Sequence, residues 1–248
     1  MNVITSLDNE KVKMFKKLQK KKYRDEYNLF IVEGEHLAIE AFRAGVLEEL
    51  ILEEGTDLPF PSPYGYYSRE VLSKISAMDN PSSVMALCRK RDREGEEVEG
   101  NRILVLDDIQ DPGNLGTIIR SALAFGVTTI VLSEGTVDLY NPKVLRATQG
   151  MIFHTNIIVR NVFDWVRMIK ASDFKVYGTC VDGGVDVKSI SPEDKEQFVL
   201  IVGNEGNGVK RRILDLCDEN LFIKMNARVE SLNVAVATSI LLYELGNY

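Results

Sequence analysis

Strand and helix patterns alternate through residues 102–248, and this alternation constrains the fold more than any other feature of the chain. Arg102-Ile103-Leu104-Val105-Leu106 opens the stretch as an unbroken apolar run, which is the pattern of a strand buried on both faces of a parallel sheet. Further strand patterns fall at 129–132, 155–159, 175–179, 198–202 and 221–224. Helical patterns at 114–125, 142–149, 162–171, 209–217 and 231–245 separate them. An α/β fold follows, with a parallel sheet covered by helices on both faces. The last helix, from Val234 to Leu245, is apolar nearly all round and needs the sheet or a second subunit to cover it.

Residues 92–101, DREGEEVEGN, are acidic, contain two glycines and show no apolar period, so they read as a linker between parts 1–91 and 102–248. The first part is a smaller α/β unit. Its pattern predicts one helix over 8–22 with Val12, Phe15 and Leu18 on one face, then a strand at 29–32 and a helix through 36–42 that stops at Gly45. A strand at 47–52, a Pro-rich turn at 59–63, a helix over 68–75 that Tyr66-Tyr67 leads into, and a strand at 84–87 complete it.

Composition excludes several classes. The 45% hydrophobic and 27% charged fractions are those of a soluble globular protein, and no apolar run reaches the roughly 18 residues of a membrane span. The start shows no basic region followed by an apolar stretch, so a cytoplasmic chain is expected. Cys88, Cys180 and Cys217 are widely spaced and form no C-x-x-C pair, which suits neutral thiols. With only His36 and His154, a zinc site or a Ser-His-Asp triad has almost no material, and no metal is expected. The net charge of −7 argues against a protein that simply coats nucleic acid. Yet residues 11–24, KVKMFKKLQKKKYR, carry eight basic side chains and no acidic one. Lys16, Lys17, Lys20, Lys21, Lys22 and Arg24 are therefore candidates for phosphate binding, with a solvated helix face as the plain alternative.

Three loops at strand carboxyl ends, where parallel α/β sheets bind ligands, carry the candidate chemistry. In the first, Asp107 to Gly116, Pro112-Gly113 forces a turn, Asn114 can cap the following helix, and that helix presents Arg120. Pairing with Asp107 or Asp108 is the structural alternative for Arg120. The second, Gly203-Asn204-Glu205-Gly206-Asn207-Gly208, lets the backbone approach a ligand closely. Its spacing is neither a dinucleotide fingerprint nor a P-loop, and Glu205 would repel phosphate. A cationic, hydroxyl- or amine-bearing ligand fits better, and a turn with one solvated Glu is the alternative. In the third, Ser231 and Asn233 place polar groups at a helix start, where capping alone would also explain them.

Together, DPGNLGTIIRSALAFGV, DLYNPKVLRATQG, LIVGNEGNGV and IKMNARVESLNVAVATSILLYEL resemble the SpoU/TrmH family of SPOUT-class RNA ribose 2′-O-methyltransferases. FIVEGEHLAIEA resembles the L30e-like substrate-binding domain often attached to it. The resemblance implies a C-terminal trefoil knot that grips S-adenosylmethionine, and a homodimer with its active site at the subunit interface. It places Gly203, Ile223 and Leu232 on the cofactor's adenine and ribose, with Thr179 and Gly206 as near neighbours. Arg120 would activate the 2′-hydroxyl or, because a guanidinium is normally fully protonated, bind phosphate and stabilise alkoxide charge. Asn114 and Ser231 would position the ribose or Arg120, while Glu205 and Asn233 would orient Arg120 and its loop. Ribosomal RNA is the expected substrate. Transfer RNA, non-catalytic RNA binding and a nucleotide- or NAD-binding protein are the alternatives. Lys224, Ala227 and Ala235 stand where family members commonly have Pro, Gly and Ser.

Overall fold

The computed structural model describes residues 3–57, 59–91 and 97–246, so half of the linker segment 92–101 lies outside the described residues. In chain order the elements begin with β1 (Val3–Ile4), α1 (Glu10–Lys17), α2 (Lys21–Tyr27), β2 (Leu29–Glu33), α3 (Glu35–Arg43) and β3 (Leu47–Glu53). Next come β4 (Tyr64–Tyr67), α4 (Arg69–Ile75), β5 (Val84–Arg89), β6 (Arg102–Asp107), α5 (Pro112–Ala124), β7 (Thr129–Ser133) and α6 (Pro142–Thr148). The chain ends with β8 (Asn156–Arg160), α7 (Val162–Ile169), β9 (Lys175–Thr179), β10 (Val185–Asp186), β11 (Phe198–Gly203), α8 (Arg211–Leu214), β12 (Glu219–Phe222) and α9 (Val234–Leu245).

Two units result. One contains residues 1–92 and 138–154; the other contains 93–137 and 155–248. The first is built on a mixed sheet ordered β1-β4-β3-β5-β2. On it Val12 and Phe15 of α1 pack with Val71, Leu72 and Ile75 of α4. The single helix predicted over 8–22 is in fact α1 and α2, separated by a turn at 18–20. Long-range bonds set that break. Gln19 donates to the carbonyls of Ile75 and Ser76 (3.1 and 2.9 Å), and Arg24 donates to that of Leu18 (2.7 Å). Tyr66-Tyr67, read from sequence only as a lead into a helix, belongs to a strand, Tyr64–Tyr67, paired in parallel with β3. Segment 138–154 brings this unit α6 and aromatic side chains: Tyr140 packs on Phe30 with ring centroids 4.7 Å apart.

The second unit is a fully parallel seven-stranded sheet, ordered β10-β12-β9-β11-β6-β7-β8. The apolar runs of β6 and β11 are buried on both faces. Ile103, Val105, Val199 and Ile201 share a core with Trp165 and Val166 of α7, while Leu104, Leu106, Leu200 and Val202 are buried on the opposite side. Each such side chain contributes about 1.5–3 kcal/mol relative to exposure. The chain runs outward through β6, β7 and β8, then restarts across the sheet at β9. β11 fills the place between β9 and β6, so the strand order reverses around its carboxyl end. That reversal is where open α/β sheets form a ligand crevice. α9 packs along α5, where Ser239 donates to Ser121 (2.9 Å) and Tyr243 meets Phe125 edge-on (5.9 Å).

Candidate active site

A cavity of about 460 Å3 opens at the carboxyl ends of β9, β11 and β12. Thr179, Gly203, Gly206, Ile223 and Leu232, the five candidate cofactor residues, all line it. Val209, Leu214, Leu221 and Leu241 give it an apolar wall, and Asp182 and Glu205 bring two carboxylates. Among the described residues that line it there is no Lys, Arg or His. Such a donor set fits a nucleoside carrying a positive charge and disfavours a phosphate-bearing dinucleotide, whose negative charge would face two carboxylates with no countercharge. S-adenosylmethionine, a nucleoside with a sulfonium and an ammonium, matches that chemistry.

The glycine loop is folded by Asn204, a residue the sequence reading passed over. Its Oδ1 accepts from the amides of Gly206 (3.0 Å) and Asn207 (3.1 Å), and its Nδ2 donates to the carbonyl of Asp108 (2.9 Å). Asn side chains closing their own turns in this way are a recognisable loop signal. The loop then doubles back on Gly203 so tightly that a Cβ there would sit 2.1 Å from the Gly208 carbonyl carbon and the Val209 nitrogen. Backbone atoms cannot give way by that amount. Gly203→Ala should therefore displace the loop and lower S-adenosylmethionine affinity at least about tenfold, as read by calorimetry, an effect no larger than ordinary overpacking energies.

The candidate polar residues form a chain across the three loops. Asn233 Nδ2 donates to Asn114 Oδ1 (2.9 Å), and Asn114 Nδ2 donates to Glu205 Oε1 (3.2 Å). Glu205 also accepts from the amides of Asp111 (3.1 Å) and Gln110 (3.2 Å). Burial pushes the Glu205 pKa up, but these donors outweigh it and hold the carboxyl below the usual carboxylate range. Glu205 thus clamps the start of α5 as an anion. The cap of α5 is Asp111, which accepts from the Asn114 amide (2.8 Å), and not Asn114 as the sequence suggested. Freed from capping, Asn114 bridges the loops. Asn233 both caps α9, accepting from Ala235 (2.9 Å) and Val236 (3.3 Å), and reaches Asn114. Ser231 lies on the cavity wall and is exposed.

Arg120 is placed differently. It is exposed on α5 and does not line the cavity of its own chain, six residues and so about 9 Å along the helix from Asn114. No ion pair or hydrogen bond holds its guanidinium among the described residues. The pairing with Asp107 or Asp108 does not occur, because Lys210 takes both carboxylates, Asp107 at 3.1 Å. Nor, among the described residues, do Glu205 and Asn233 hydrogen-bond or ion-pair with Arg120. What they fix is Asn114, on the helix that carries it.

On α1 and α2, Lys16, Lys17, Lys20 and Lys22 are exposed, with no ion pair among the described residues. Lys21 is exposed but bonded to Asp25 (2.6 Å). Arg24 corrects the expectation: it is 4% exposed, donates to Leu18 and pairs with Asp138 at 2.5 Å, so its cation is committed inside the unit. Burial raises the pKa of Cys88 and Cys180 and pushes that of Cys217 up to about 12, which keeps these thiols neutral. Among the described residues no cluster of His, Cys, Asp and Glu could hold a metal ion. Lys224 and Ala227 are exposed and off the cavity wall that Ile223 and Met225 form, and Ala235 is buried in the first turn of α9.

Fold and cavity together define an α/β methyltransferase with S-adenosylmethionine as its cofactor. A model of the SpoU rRNA methylase family matches residues 101–243, and one of an MRM3-like substrate-binding domain matches residues 9–86. The chain is 40% identical to the 23S rRNA (guanosine(2553)-2′-O)-methyltransferase RlmP of Bacillus subtilis, over 99% of each protein. It superposes on the AdoMet-bound rRNA methyltransferase of Sinorhizobium meliloti with a TM-score of 0.86 at 32% identity, covering 98% of this chain and 97% of that one. A crystallised RNA 2′-O ribose methyltransferase gives a TM-score of 0.87 at 30% identity, covering 98% of both. The chain belongs to the SpoU rRNA methylase family.

Proposed function

We propose that this chain transfers a methyl group from S-adenosylmethionine to the ribose 2′-hydroxyl of a guanosine in 23S ribosomal RNA, the reaction named for the Bacillus subtilis relative. One observation carries the reading: the cavity at the β9, β11 and β12 ends has carboxylates, apolar walls and close backbone, and no cationic residue lines it among the described residues. Bound there, S-adenosylmethionine supplies an electrophilic methyl group on a sulfonium. The residues of the chain have to hold the ribose oxygen in line with it and stabilise the charge that grows on that oxygen. Ser231, on the cavity wall, and Asn114, tied to Glu205 and Asn233, position the ribose. Arg120 binds the neighbouring phosphate and stabilises the charge on the ribose oxygen as the hydroxyl proton passes to that phosphate or to water. The methyl–sulfur bond breaks and leaves a neutral thioether. The trefoil knot expected of this family would draw the three loops around one ligand.

Arg120 stands outside the cavity of its own chain, which supports a homodimer in which each Arg120 serves the partner's cavity. α9 offers surface for such pairing: Val236 and Tyr243 are 48% and 57% exposed beside α5. Among the described residues no helix is long and apolar enough to cross a membrane, and a ribosomal RNA substrate would support a cytoplasmic location.

Methyl transfer from labelled S-adenosylmethionine to 23S RNA, followed by mapping of 2′-O-methyl positions, tests the reading. One modified guanosine, absent from RNA of a deletion strain, is the expected result. Modification of transfer RNA alone, or binding without transfer, would replace it. Charge reversal at Lys16, Lys17, Lys20 and Lys22 should weaken RNA binding and flatten its salt dependence by up to about four in the logarithmic slope. An unchanged slope would make the stripe ordinary solvated surface.

A further inference from the structure

Two of the unpaired lysines, Lys17 and Lys22, stand at an aromatic pair that the charge argument leaves unused. Tyr23 and Tyr27 lie one helical turn apart on α2 and stack, with centroids 6.3 Å apart and planes at 17°. Lys17 and Lys22 hold their ammonium groups 5.6 and 5.7 Å from the Tyr23 centroid. Both rings are only half-buried. The turn beneath them is anchored by Arg24, buried against Leu18 and Asp138, so the rings stand on a fixed base. Four other lysines of this unit find carboxylates, Lys11 with Glu49, Lys13 with Glu10, and Lys21 and Lys90 with Asp25, while Lys74 and Lys143 stand singly without an ion pair among the described residues. On a chain of net charge −7, four unpaired lysines within seven residues, two of them over Tyr23, are a local concentration of positive charge.

We propose that the Tyr23–Tyr27 pair is a stacking platform for an unpaired nucleotide of the RNA substrate, with the four lysines holding the flanking phosphates. The proposal rests on the RNA-methylating reading and narrows it to single-stranded or looped RNA at this surface. Charge complementarity selects the occupant: rings with cations on their rim offer a base a π-face and its backbone a countercharge. In the free protein Lys17 and Lys22 sit over Tyr23, a contact worth little at an exposed site. An incoming base takes that ring face and releases both ammonium groups to phosphate. A duplex keeps its bases stacked inside and can use only the lysines.

The full chain is titrated with a short uridine oligomer and with an RNA duplex of equal length, at fixed salt. Tyr23→Ala and Tyr27→Ala should each weaken oligomer binding by roughly 5- to 150-fold, the range of one lost base stack. Their duplex affinity should be unchanged, and Tyr23→Phe should keep wild-type affinity for both. Unchanged oligomer affinity in Tyr23→Ala overturns the platform, as does an equal loss for oligomer and duplex, or a loss in Tyr23→Phe. Thermal unfolding and S-adenosylmethionine binding of Tyr23→Ala should match the wild type, whereas Tyr27 also packs against the core of this unit and its alanine variant is expected to unfold earlier. Loss of oligomer binding in Tyr23→Ala that comes with a comparable loss of folding stability overturns the proposal. Failure of the functional reading looks different, since the wild-type chain would then bind RNA without methylating it.

Discussion

Arg120→Ala should lower methyl transfer by about 10²- to 10³-fold and leave S-adenosylmethionine affinity unchanged. Both halves follow from where the residue stands. It does not line the cavity of its own chain, and at a partner's cavity its role is toward the ribose oxygen and phosphate, so removing it should take no contact from the cofactor. It is an exposed cation with no partner among the described residues, so removing it exposes no buried charge and should cost stability little. What is lost is the one arginine of α5, the group able to meet charge developing on the ribose oxygen. Loss of a single donor of that kind lowers kcat by about 10²- to 10³-fold. Arg120→Lys should recover only part of this, because an ammonium cannot present the planar fork that grips a phosphate. A second measurement separates a residue acting on its own chain from one acting on its partner. Equal amounts of Arg120→Ala and of Gly203→Ala subunits are mixed and allowed to exchange, at an S-adenosylmethionine concentration that loads the wild-type cavity and leaves the Gly203→Ala cavity largely empty. If Arg120 reaches the partner's cavity, half the dimers are mixed and each has one complete site, which restores about a quarter of wild-type turnover. No recovery from subunits that have exchanged would place Arg120 on its own cavity. Wild-type turnover in Arg120→Ala alone would remove the residue from the mechanism.

The sequence was most legible where local pattern and tertiary demand coincide. β6 and β11 could be read directly because strands at the centre of a parallel sheet are buried on both faces and have no reason to alternate. Where distant groups decide, the pattern fails. The turn between α1 and α2 interrupts an amphipathic stretch that carries Val12, Phe15 and Leu18 on one face, and its cause is hydrogen bonding from Gln19 to residues more than fifty positions away. Arg24 looked like the end of a cationic stripe, since nothing local reveals that Asp138 would meet it. The candidate site divides in the same way. Gly203, Ile223 and Leu232 were legible through a resemblance spanning three ordered motifs, and the cavity collects them. The roles of Asp111, Asn114 and Asn204 were not, because Asx residues near a helix start or a glycine turn can cap, bridge or close the turn. Only the three-dimensional meeting of the loops selects among these.

The other large effect concerns stability. Asp138→Asn should lower thermal stability by about 3 kcal/mol, because it removes the countercharge from a guanidinium whose side chain is 5% exposed. Arg24 has little else to turn to. Its Nη1 is bonded to the Leu18 carbonyl, and its Nε is buried with no hydrogen-bond partner. An asparagine oxygen can accept a hydrogen bond but brings no charge to offset desolvation. For a chain of this size the loss corresponds to roughly 6–12 °C in the unfolding midpoint. Asp138 retains 16% exposure and admits some water, which puts the effect at the lower end of the range for broken buried pairs. The double variant Arg24→Met/Asp138→Leu distinguishes the pair from its parts: with both charges gone and the volume filled, stability should return to within about 1 kcal/mol of the wild type. A double variant as unstable as Asp138→Asn would mean that the hydrogen bond to Leu18, and with it the turn that aligns α2, matters more than the ion pair. RNA affinity decides what that turn is for. If Arg24 serves only to set the helix that carries Tyr23 and the free lysines, the double variant should bind RNA more weakly than its recovered stability would suggest, and S-adenosylmethionine as well as the wild type does.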